Sequence, residues 1–169
     1  FKSVLADIIS DYTAHPFEHT TTSKVYTGSA CSFSEYSKDF EKLSQKKLGA
    51  IIFSPPYANA FDYYESYKME LLFGGLYSMQ DYQIHKKQQI RNYRISYGHE
   101  LTCDIPLVEL LCEEIGTAIP KKEALSGKRD ARTRLMPNML RGYFTDMRTV
   151  LGELYSALDC DGHCYIVVD

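Results

Sequence analysis

The chain has 169 residues, of which 44% are hydrophobic, and its formal net charge is -3. This length and apolar content predict one domain with its own core, since domains typically run to about 100–150 residues. The longest apolar runs, such as Leu48–Phe53, are far shorter than the roughly 20 residues that a membrane helix needs, so no membrane association is predicted. Five cysteines, an odd number, and no recognisable leader predict reduced thiols and a cytoplasmic location.

The first third of the chain predicts the order helix, strand, helix. Apolar residues recur at helical spacing over Val4–Tyr12. The β-branched and aromatic run Lys24–Thr27 predicts a strand that ends before Gly28. Phe33–Lys47 has apolar residues three and four apart among charges, which predicts an amphipathic helix closed by a turn at Gly49.

The middle of the chain predicts a strand, a tight turn and a helix, which together form one α/β unit. Ala50–Phe53 is a short continuous apolar run between Gly and Pro residues, as is typical of a buried parallel strand. Phe61–Leu76 resumes helical spacing and loosens at its two glycines. Ser78–Tyr97 is polar, basic and rich in tyrosine, and it predicts a loop with a short helix.

The last third predicts two helices and a strand. Pro106–Ile115 has helical spacing and is expected to end at Gly116. Phe144–Leu158 forms a continuous apolar stripe, and Asp161-Gly162 predicts a turn into the strand His163–Val168. Strands that are apolar runs and alternate with helices predict an α/β fold, doubly wound, with a mostly parallel sheet. Ligands of such folds bind beyond the carboxyl ends of the strands.

The tetrad Ser54-Pro55-Pro56-Tyr57 lies at such an end and is the predicted catalytic group. An exocyclic amino group on a nucleobase is a poor nucleophile because its lone pair is delocalised into the ring. A Ser54 hydroxyl and the carbonyl before the rigid Pro55-Pro56 unit offer acceptors for the two amino hydrogens. Tyr57 offers a flat face for a base that has left its stack. The alternative interpretation is that the prolines only end the strand and that Tyr57 only packs.

The segment Leu48–Tyr63, together with Lys68–Phe73, resembles the S-adenosylmethionine-dependent amino-methyltransferases of DNA. In that family a Ser/Asp/Asn-Pro-Pro-Tyr tetrad follows the fourth strand of the sheet. Tyr143–Val168 resembles the helix, turn and strand that come next, so the resemblance covers roughly residues 24–77 and 143–168. It implies the doubly wound methyltransferase fold, S-adenosylmethionine as cofactor and N4 of cytosine or N6 of adenine as target. By this resemblance, serine in the first position of the tetrad, Ser54, favours cytosine over adenine as the target base.

The resemblance also assigns Phe53, Ser54 and Ser29 to the cofactor site. The family's Gly-rich cofactor loop is absent from the chain, and Ser29 follows Gly28 where relatives often carry an acidic residue. Because the chain opens on Phe1 and stops after an apolar strand, residues 1–169 are expected to be one partial catalytic domain whose cofactor loop lies upstream. Residues 78–142 are expected to be an insertion for substrate recognition.

Two basic groups are predicted to contact nucleic-acid phosphates. Both mix cations with polar residues, and the first also contains stacking rings at Tyr93 and Tyr97. Their members are Lys86, Lys87, Arg91 and Arg94 in the first group and Arg129, Arg132 and Arg134 in the second. The second group is expected to form a mobile loop. The alternative interpretation is that the first group is a solvated loop.

No metal site is predicted. Cys160 and Cys164 are suitable ligand types, but a zinc site needs four ligands and no second pair lies nearby. DNA is the predicted partner, and a restriction endonuclease is a candidate protein partner by resemblance. Two alternatives are open: an RNA base as substrate, and a catalytically inactive relative that binds nucleic acid. No oligomeric state follows from the sequence.

Overall fold

The computed structural model describes residues 2–15, 23–58, 61–92 and 101–168. The part of the chain that it describes is mostly helical, with two strands and a short 3-10 helix at Ala30–Ser32. The helices are α1 (Lys2–Ala14), α2 (Phe33–Ser44), α3 (Tyr63–Ser66), α4 (Lys68–Phe73), α5 (Met79–Gln88), α6 (Pro106–Ser126), α7 (Ala131–Arg134) and α8 (Met136–Ala157), and the strands are β1 (Leu48–Phe53) and β2 (Leu158–Ile166).

The two strands pair in parallel. Ala50 lies opposite His163 and Phe53 opposite Ile166, and the Val167 N–H continues the pairing by donating to the Phe53 carbonyl at 2.9 Å. The register is irregular where β2 begins, and the predicted turn at Asp161-Gly162 lies within that irregular stretch. Parallel pairing of these two strands is confirmed. A sheet of two described strands is not yet a doubly wound fold, so that fold stays a prediction.

Helix α8 is the centre of the core. The apolar stripe predicted from the spacing is buried at Met147, Val150 and Leu154, whereas Leu151 and Tyr155 are exposed. The helix faces α6 on one side and α2 with the 3-10 helix on another. Val150 and Leu154 pack on Ile51 of β1, while Met139 and Met147 pack among residues of α6. Burying one large apolar side chain stabilises a fold by about 1.5–3 kcal/mol, so this helix contributes much of the stability.

The sheet is covered on one face among the described residues. Ile51 is 8% exposed, whereas its neighbour Ile52, on the opposite face, is 72% exposed. Tyr165 of β2 is also more than half exposed. Among the described residues, β1 is therefore buried on one face and exposed on the other. The cause is geometric, because successive side chains of a strand point to opposite faces and the helices pack on only one of them.

The strand predicted at Lys24–Thr27 is not formed, and this segment is irregular. Val25 is 91% exposed, while the side chains of Lys24 and Tyr26 both bind Asp39 of α2, at 2.5 and 2.6 Å. A strand needs a neighbouring strand to satisfy its backbone, and β propensity depends strongly on that context. The polar ends of the Lys24 and Tyr26 side chains instead bind Asp39 on helix α2.

Several helix ends differ from the prediction. Helix α2 ends at Ser44 because Gln45 adopts a left-handed conformation, and Gly49 lies inside β1. Helix α6 continues past Gly116 to a left-handed Gly127. A glycine inside a helix costs only about 1 kcal/mol relative to alanine, which packing on α8 offsets. The helix predicted over residues 61–76 is divided into α3 and α4 at Tyr67.

All five cysteines are free thiols. None of the described helices combines the length and the apolar character that crossing a bilayer requires.

Candidate functional site

The tetrad Ser54–Tyr57 directly follows β1, at the carboxyl end of the strand. Ser54 is exposed, the two prolines are half-buried, and Tyr57 is 45% exposed. The next residue, Ala58, packs against the core cluster between α6 and α8. The turn therefore combines an anchored backbone with a serine hydroxyl and a tyrosine ring that solvent can reach.

A chain of contacts continues from the tetrad into the following loop. The Tyr57 N–H donates to the Tyr63 hydroxyl at 3.4 Å, and the Tyr63 ring lies against the Phe61 ring with centroids 5.1 Å apart. The Phe61 carbonyl accepts a 2.9 Å hydrogen bond from the Asn92 side-chain amide. Asn92 follows α5, so the segment after α5 touches the loop after the tetrad.

Phe53, predicted to contact the cofactor, is half-buried at the end of β1. Its side chain packs against both core clusters, where Ile90 lies as well. Its carbonyl is bonded to the Val167 N–H. Phe53 therefore has a clear structural role, and any contact with a cofactor would come from the part of its ring that the core leaves exposed.

Ser29, the second predicted cofactor residue, lies between two cavities of about 400 and 510 Å³. Its hydroxyl accepts the Cys31 N–H at 3.2 Å and so caps the 3-10 helix. Both volumes fall in the roughly 300–1,000 Å³ range of small-molecule sites. The larger cavity is walled by aromatic rings, namely Tyr36, Tyr64, Tyr77 and His85, and by Ile90 and two glutamines. Tyr77 and His85 stack at 4.8 Å between ring centroids.

Gly28 is required by the close approach of Tyr36. A Cβ at position 28 would lie 1.6 Å from the Tyr36 hydroxyl oxygen. The Tyr36 ring lines both cavities and contacts the Tyr26 ring at 5.7 Å. The glycine at position 28 thus leaves the space that the Tyr36 ring occupies, a contact that the sequence did not reveal.

Lys86, predicted to contact phosphate, instead binds two carboxylates of the loop and helix after the tetrad. Its ammonium bonds to Glu65 and lies 3.4 Å from Asp62, and Glu65 also accepts the Tyr82 hydroxyl at 3.1 Å. Partial burial opposes the charge on Lys86, but the Glu65 hydrogen bond and the Asp62 charge outweigh it and raise its pKa. Its charge is compensated within the fold.

Arg91 and Lys87 differ in their surroundings. The Arg91 guanidinium forms two hydrogen bonds with Asp146 of α8, at 3.0 and 2.6 Å, and the Asp146 bond is the main cause of its raised pKa. Lys87 is exposed and lines a shallow groove with Met79 and Ile84 of α5. Arg94 lies outside the described residues.

In the second basic group, Arg132 and Arg134 lie in the short helix α7, whereas Arg129 lies in the irregular segment before it. Asp130 caps α7 by accepting the Thr133 N–H at 2.9 Å, and Arg134 bonds to Glu123 of α6, with its Nε 2.8 Å from Oε1. The Arg134 bond, helped by the Asp130 N–H, lowers the pKa of Glu123 to about 2. Arg129 and Arg132 are exposed. Acidic partners nearby in space order a segment that looks only basic in sequence.

The structure thus brings the tetrad, the loop after it and the end of α5 together, and it places Ser29 beside the same end of α5 through Ile90. It does not bring the two basic groups together, because α5 packs on α4 whereas α7 packs on α6 and α8. Over the described ranges, no group of three His, Cys, Asp or Glu side chains is placed to hold a metal ion.

The site contains residues that the sequence analysis did not single out. They are Tyr63 and Asn92 around the tetrad and Tyr64, Tyr77 and His85 around the larger cavity. The signal available in the sequence was the number of tyrosines, 14 in the chain, with four of them between residues 57 and 67.

No family model, curated protein or solved structure matches the chain.

Proposed function

We propose that the chain carries the base-binding part of a methyltransferase site that transfers a methyl group from S-adenosylmethionine to an exocyclic amino group of a DNA base. The observation that carries the proposal is the position of Ser54 and Tyr57, both exposed and both directly beyond the carboxyl end of a parallel strand. Ligands of open α/β sheets bind at such ends. Phe53 and Ala58, which flank the tetrad and pack against the core, support the proposal further.

In this proposal the tetrad binds the amino group and the ring of the target base. The Ser54 hydroxyl accepts one amino hydrogen, and the carbonyl before Pro55-Pro56 accepts the other, which directs the nitrogen lone pair away from the ring. The prolines hold the backbone angles of these acceptors. The Tyr57 ring stacks on a base that has left its helix and replaces the stacking lost there.

The residues around Ser29 fit the purine part of the cofactor. The larger cavity has the volume of a small-molecule site, and its tyrosine and histidine rings offer flat faces to an adenine. When bound, the cofactor supplies an electrophilic methyl group. Ser29 offers a hydroxyl rather than a carboxylate, so it can donate one hydrogen bond to a ribose oxygen but lacks the two acceptor oxygens with which a carboxylate binds a pair of ribose hydroxyls.

Lys87 and Arg129 are exposed members of the two basic groups, and we assign phosphate contacts to them. Exposed cations on separate parts of the fold, Lys87 on α5 and Arg129 between α6 and α7, suit a backbone contact that is independent of base sequence. Lys86, Arg91 and Arg134 are paired with carboxylates inside the fold, and we assign them structural roles.

Transfer of labelled methyl groups to DNA and to RNA by the intact protein, followed by nucleoside mass analysis, tests the proposal. Methylated cytosine or adenine in DNA is expected. Ser54→Ala is expected to reduce kcat by about 10²–10³-fold, as is typical when one preorganised polar contact to a reacting group is removed. Tyr57→Ala is expected to weaken base binding and to reduce kcat as well.

Ser10→Ala on α1 and Tyr155→Ala on α8 are the matched controls, since both residues are exposed and distant in sequence from the tetrad. Equal activity of Ser54→Ala and Ser10→Ala would rule out the assignment of the tetrad. Methylation of RNA alone would identify the alternative substrate. Binding of DNA with no transfer to either nucleic acid would identify an inactive relative.

A further inference from the structure

We propose that Asn92 and Tyr63 are positioning residues, which hold the backbone at Tyr57 from the far side of the loop that follows the tetrad. This inference rests on the proposed function for its consequence in catalysis, but its structural part can be tested alone. The relationship is a relay of contacts: Asn92 binds Phe61, the Phe61 ring packs on Tyr63, and the Tyr63 hydroxyl accepts the Tyr57 N–H.

Tyr63 contacts the tetrad through one hydrogen bond, made by its hydroxyl oxygen. Its hydroxyl oxygen is the acceptor for the Tyr57 N–H, while the rest of the half-buried ring contacts Phe61. A phenylalanine at this position would keep the ring contact and lose only the acceptor. The hydroxyl therefore has a positioning role that can be separated from the packing role of the ring.

Asn92 is the stronger sign of a special role, because it is 1% exposed and still polar. Its amide nitrogen donates to the Phe61 carbonyl at 2.9 Å, while its Oδ1 has no hydrogen-bond partner in the structure described. A buried polar atom without a partner destabilises a fold, and an apolar residue of similar size would avoid that penalty. Burial alone does not explain an amide here, whereas fixing the Phe61 carbonyl does.

The support is itself anchored. Ser78 and Asp81 form a capping box at the start of α5, and Arg91, the neighbour of Asn92, is bonded to Asp146 of the central helix α8. On the other side, Lys86 of α5 binds Asp62, which caps α3 next to Tyr63. Phe61 and Asp62, which precede Tyr63, are thus held from α5 and, through Asp146, from the core.

The contact between Tyr63 and Tyr57 matters because the tetrad has to present its acceptors and its ring in one geometry. Catalytic groups must be held within about 0.5 Å of the productive arrangement, and they depend on surrounding residues whose own positions are locked. Tyr57 is 45% exposed. Its backbone hydrogen bond to Tyr63 restrains the main chain from which the ring projects.

The chain contains no tryptophan, so Tyr57→Trp introduces a fluorophore at the tetrad that keeps the backbone N–H. The anisotropy of this single indole and its quenching by acrylamide are measured in three further backgrounds: Tyr63→Phe, Asn92→Leu and the control Tyr67→Phe. Tyr67 is 55% exposed and lies between α3 and α4. Anisotropy is expected to fall and quenching to rise for Tyr63→Phe and Asn92→Leu, and both are expected to stay unchanged for Tyr67→Phe.

In the Tyr57 background, Tyr63→Phe is expected to lower kcat about fivefold with KM unchanged, as the loss of one neutral hydrogen bond predicts. Circular dichroism checks folding, and Tyr63→Phe, which removes one atom, serves if Asn92→Leu does not fold. Identical anisotropy and quenching in Tyr63→Phe and Tyr67→Phe would overturn the inference. Because fluorescence needs no methyl transfer, a failure of the proposed function leaves this measurement intact and is recognised separately.

Discussion

Arg91 and Asp146 form a two-point ion pair that joins the segment after α5 to the central helix α8. Asp146 receives the guanidinium at 3.0 and 2.6 Å and also accepts the Arg91 backbone N–H at 2.9 Å. Both side chains are mostly buried, with 27% and 18% of their surfaces exposed. A cation that sequence places in a nucleic-acid surface is therefore used to join two parts of the fold.

Replacing Asp146 with alanine is expected to lower the free energy of unfolding by about 2 kcal/mol, because a partly buried guanidinium and a backbone N–H lose their acceptor together. Urea unfolding followed by circular dichroism measures this change. Asp104→Ala is the control, because Asp104 pairs with Arg148 where both side chains are mostly exposed. Surface pairs contribute little, so its urea midpoint should match that of the unchanged protein. Equal midpoints for the two variants would contradict this prediction.

The Glu123–Arg134 pair predicts a stability that depends on acid pH. The Arg134 hydrogen bond lowers the pKa of Glu123 to about 2 from an ordinary value of 4.5. A lowered carboxyl pKa stabilises the fold above the unfolded-state value and loses this effect as pH falls toward the folded-state value. The difference in thermal midpoint between the unchanged protein and Glu123→Gln is expected to be largest above about pH 4.5 and to shrink toward pH 2.

The Arg134→Gln background is the control for this titration. Without the guanidinium, adding Glu123→Gln should change the midpoint much less, and with little dependence on pH, because the two substitutions remove one shared interaction. A midpoint difference that is the same at both ends of the pH range would show that Glu123 does not act through its charge.

Lys87 and Arg129 are expected to contribute to the salt dependence of DNA binding. Each phosphate contact lowers the slope of log K against log salt concentration by about 0.9, so Lys87→Ala and Arg129→Ala should each make that slope shallower by up to this amount. Binding should weaken equally for different sequences, because phosphates carry no base identity. Fluorescence anisotropy of labelled duplexes at several salt concentrations measures both effects.

Lys46→Ala is the control of equal charge, since Lys46 is exposed in the turn between α2 and β1 and belongs to neither basic group. It should leave the slope unchanged. A slope change as large in Lys46→Ala as in Arg129→Ala would show a general charge effect rather than a contact surface.

Periodic patterns predicted the elements that pack, and context decided the others. The stripe of α8 and the apolar run of β1 were visible in sequence, because both patterns are set by burial against a neighbour. Lys24–Thr27 has the composition of a strand but no neighbouring strand, and its polar side chains bind Asp39. Helix α6 was expected to end at Gly116 but continues to Ser126. Its packing on α8, which offsets the cost of the glycine, cannot be predicted from the α6 segment alone.

In the candidate site too, local sequence patterns were recognisable and contacts between distant parts of the chain were not. The tetrad was recognisable because its four residues are adjacent and follow an apolar strand. The acidic partners of Lys86 and Arg91 were not recognisable from the sequence, because partners such as Asp146, which lies 55 residues from Arg91, are distant in the chain. Asn92 and Phe61 are likewise 31 residues apart. Sequence shows which charges and amides are present, and only the fold shows which partners they meet.

The contact between Gly28 and Tyr36 couples the turn beside the two cavities to helix α2. Tyr36 belongs to α2, and α2 is fastened to α8 by the Ser34 N–H, which donates to Glu153 at 2.7 Å. Any rearrangement of the Gly28 turn toward a ligand must therefore swing the Tyr36 ring or shift α2 against the core. A change in the position of the Tyr36 ring at one cavity would therefore alter the shape of the other, because this ring lines both.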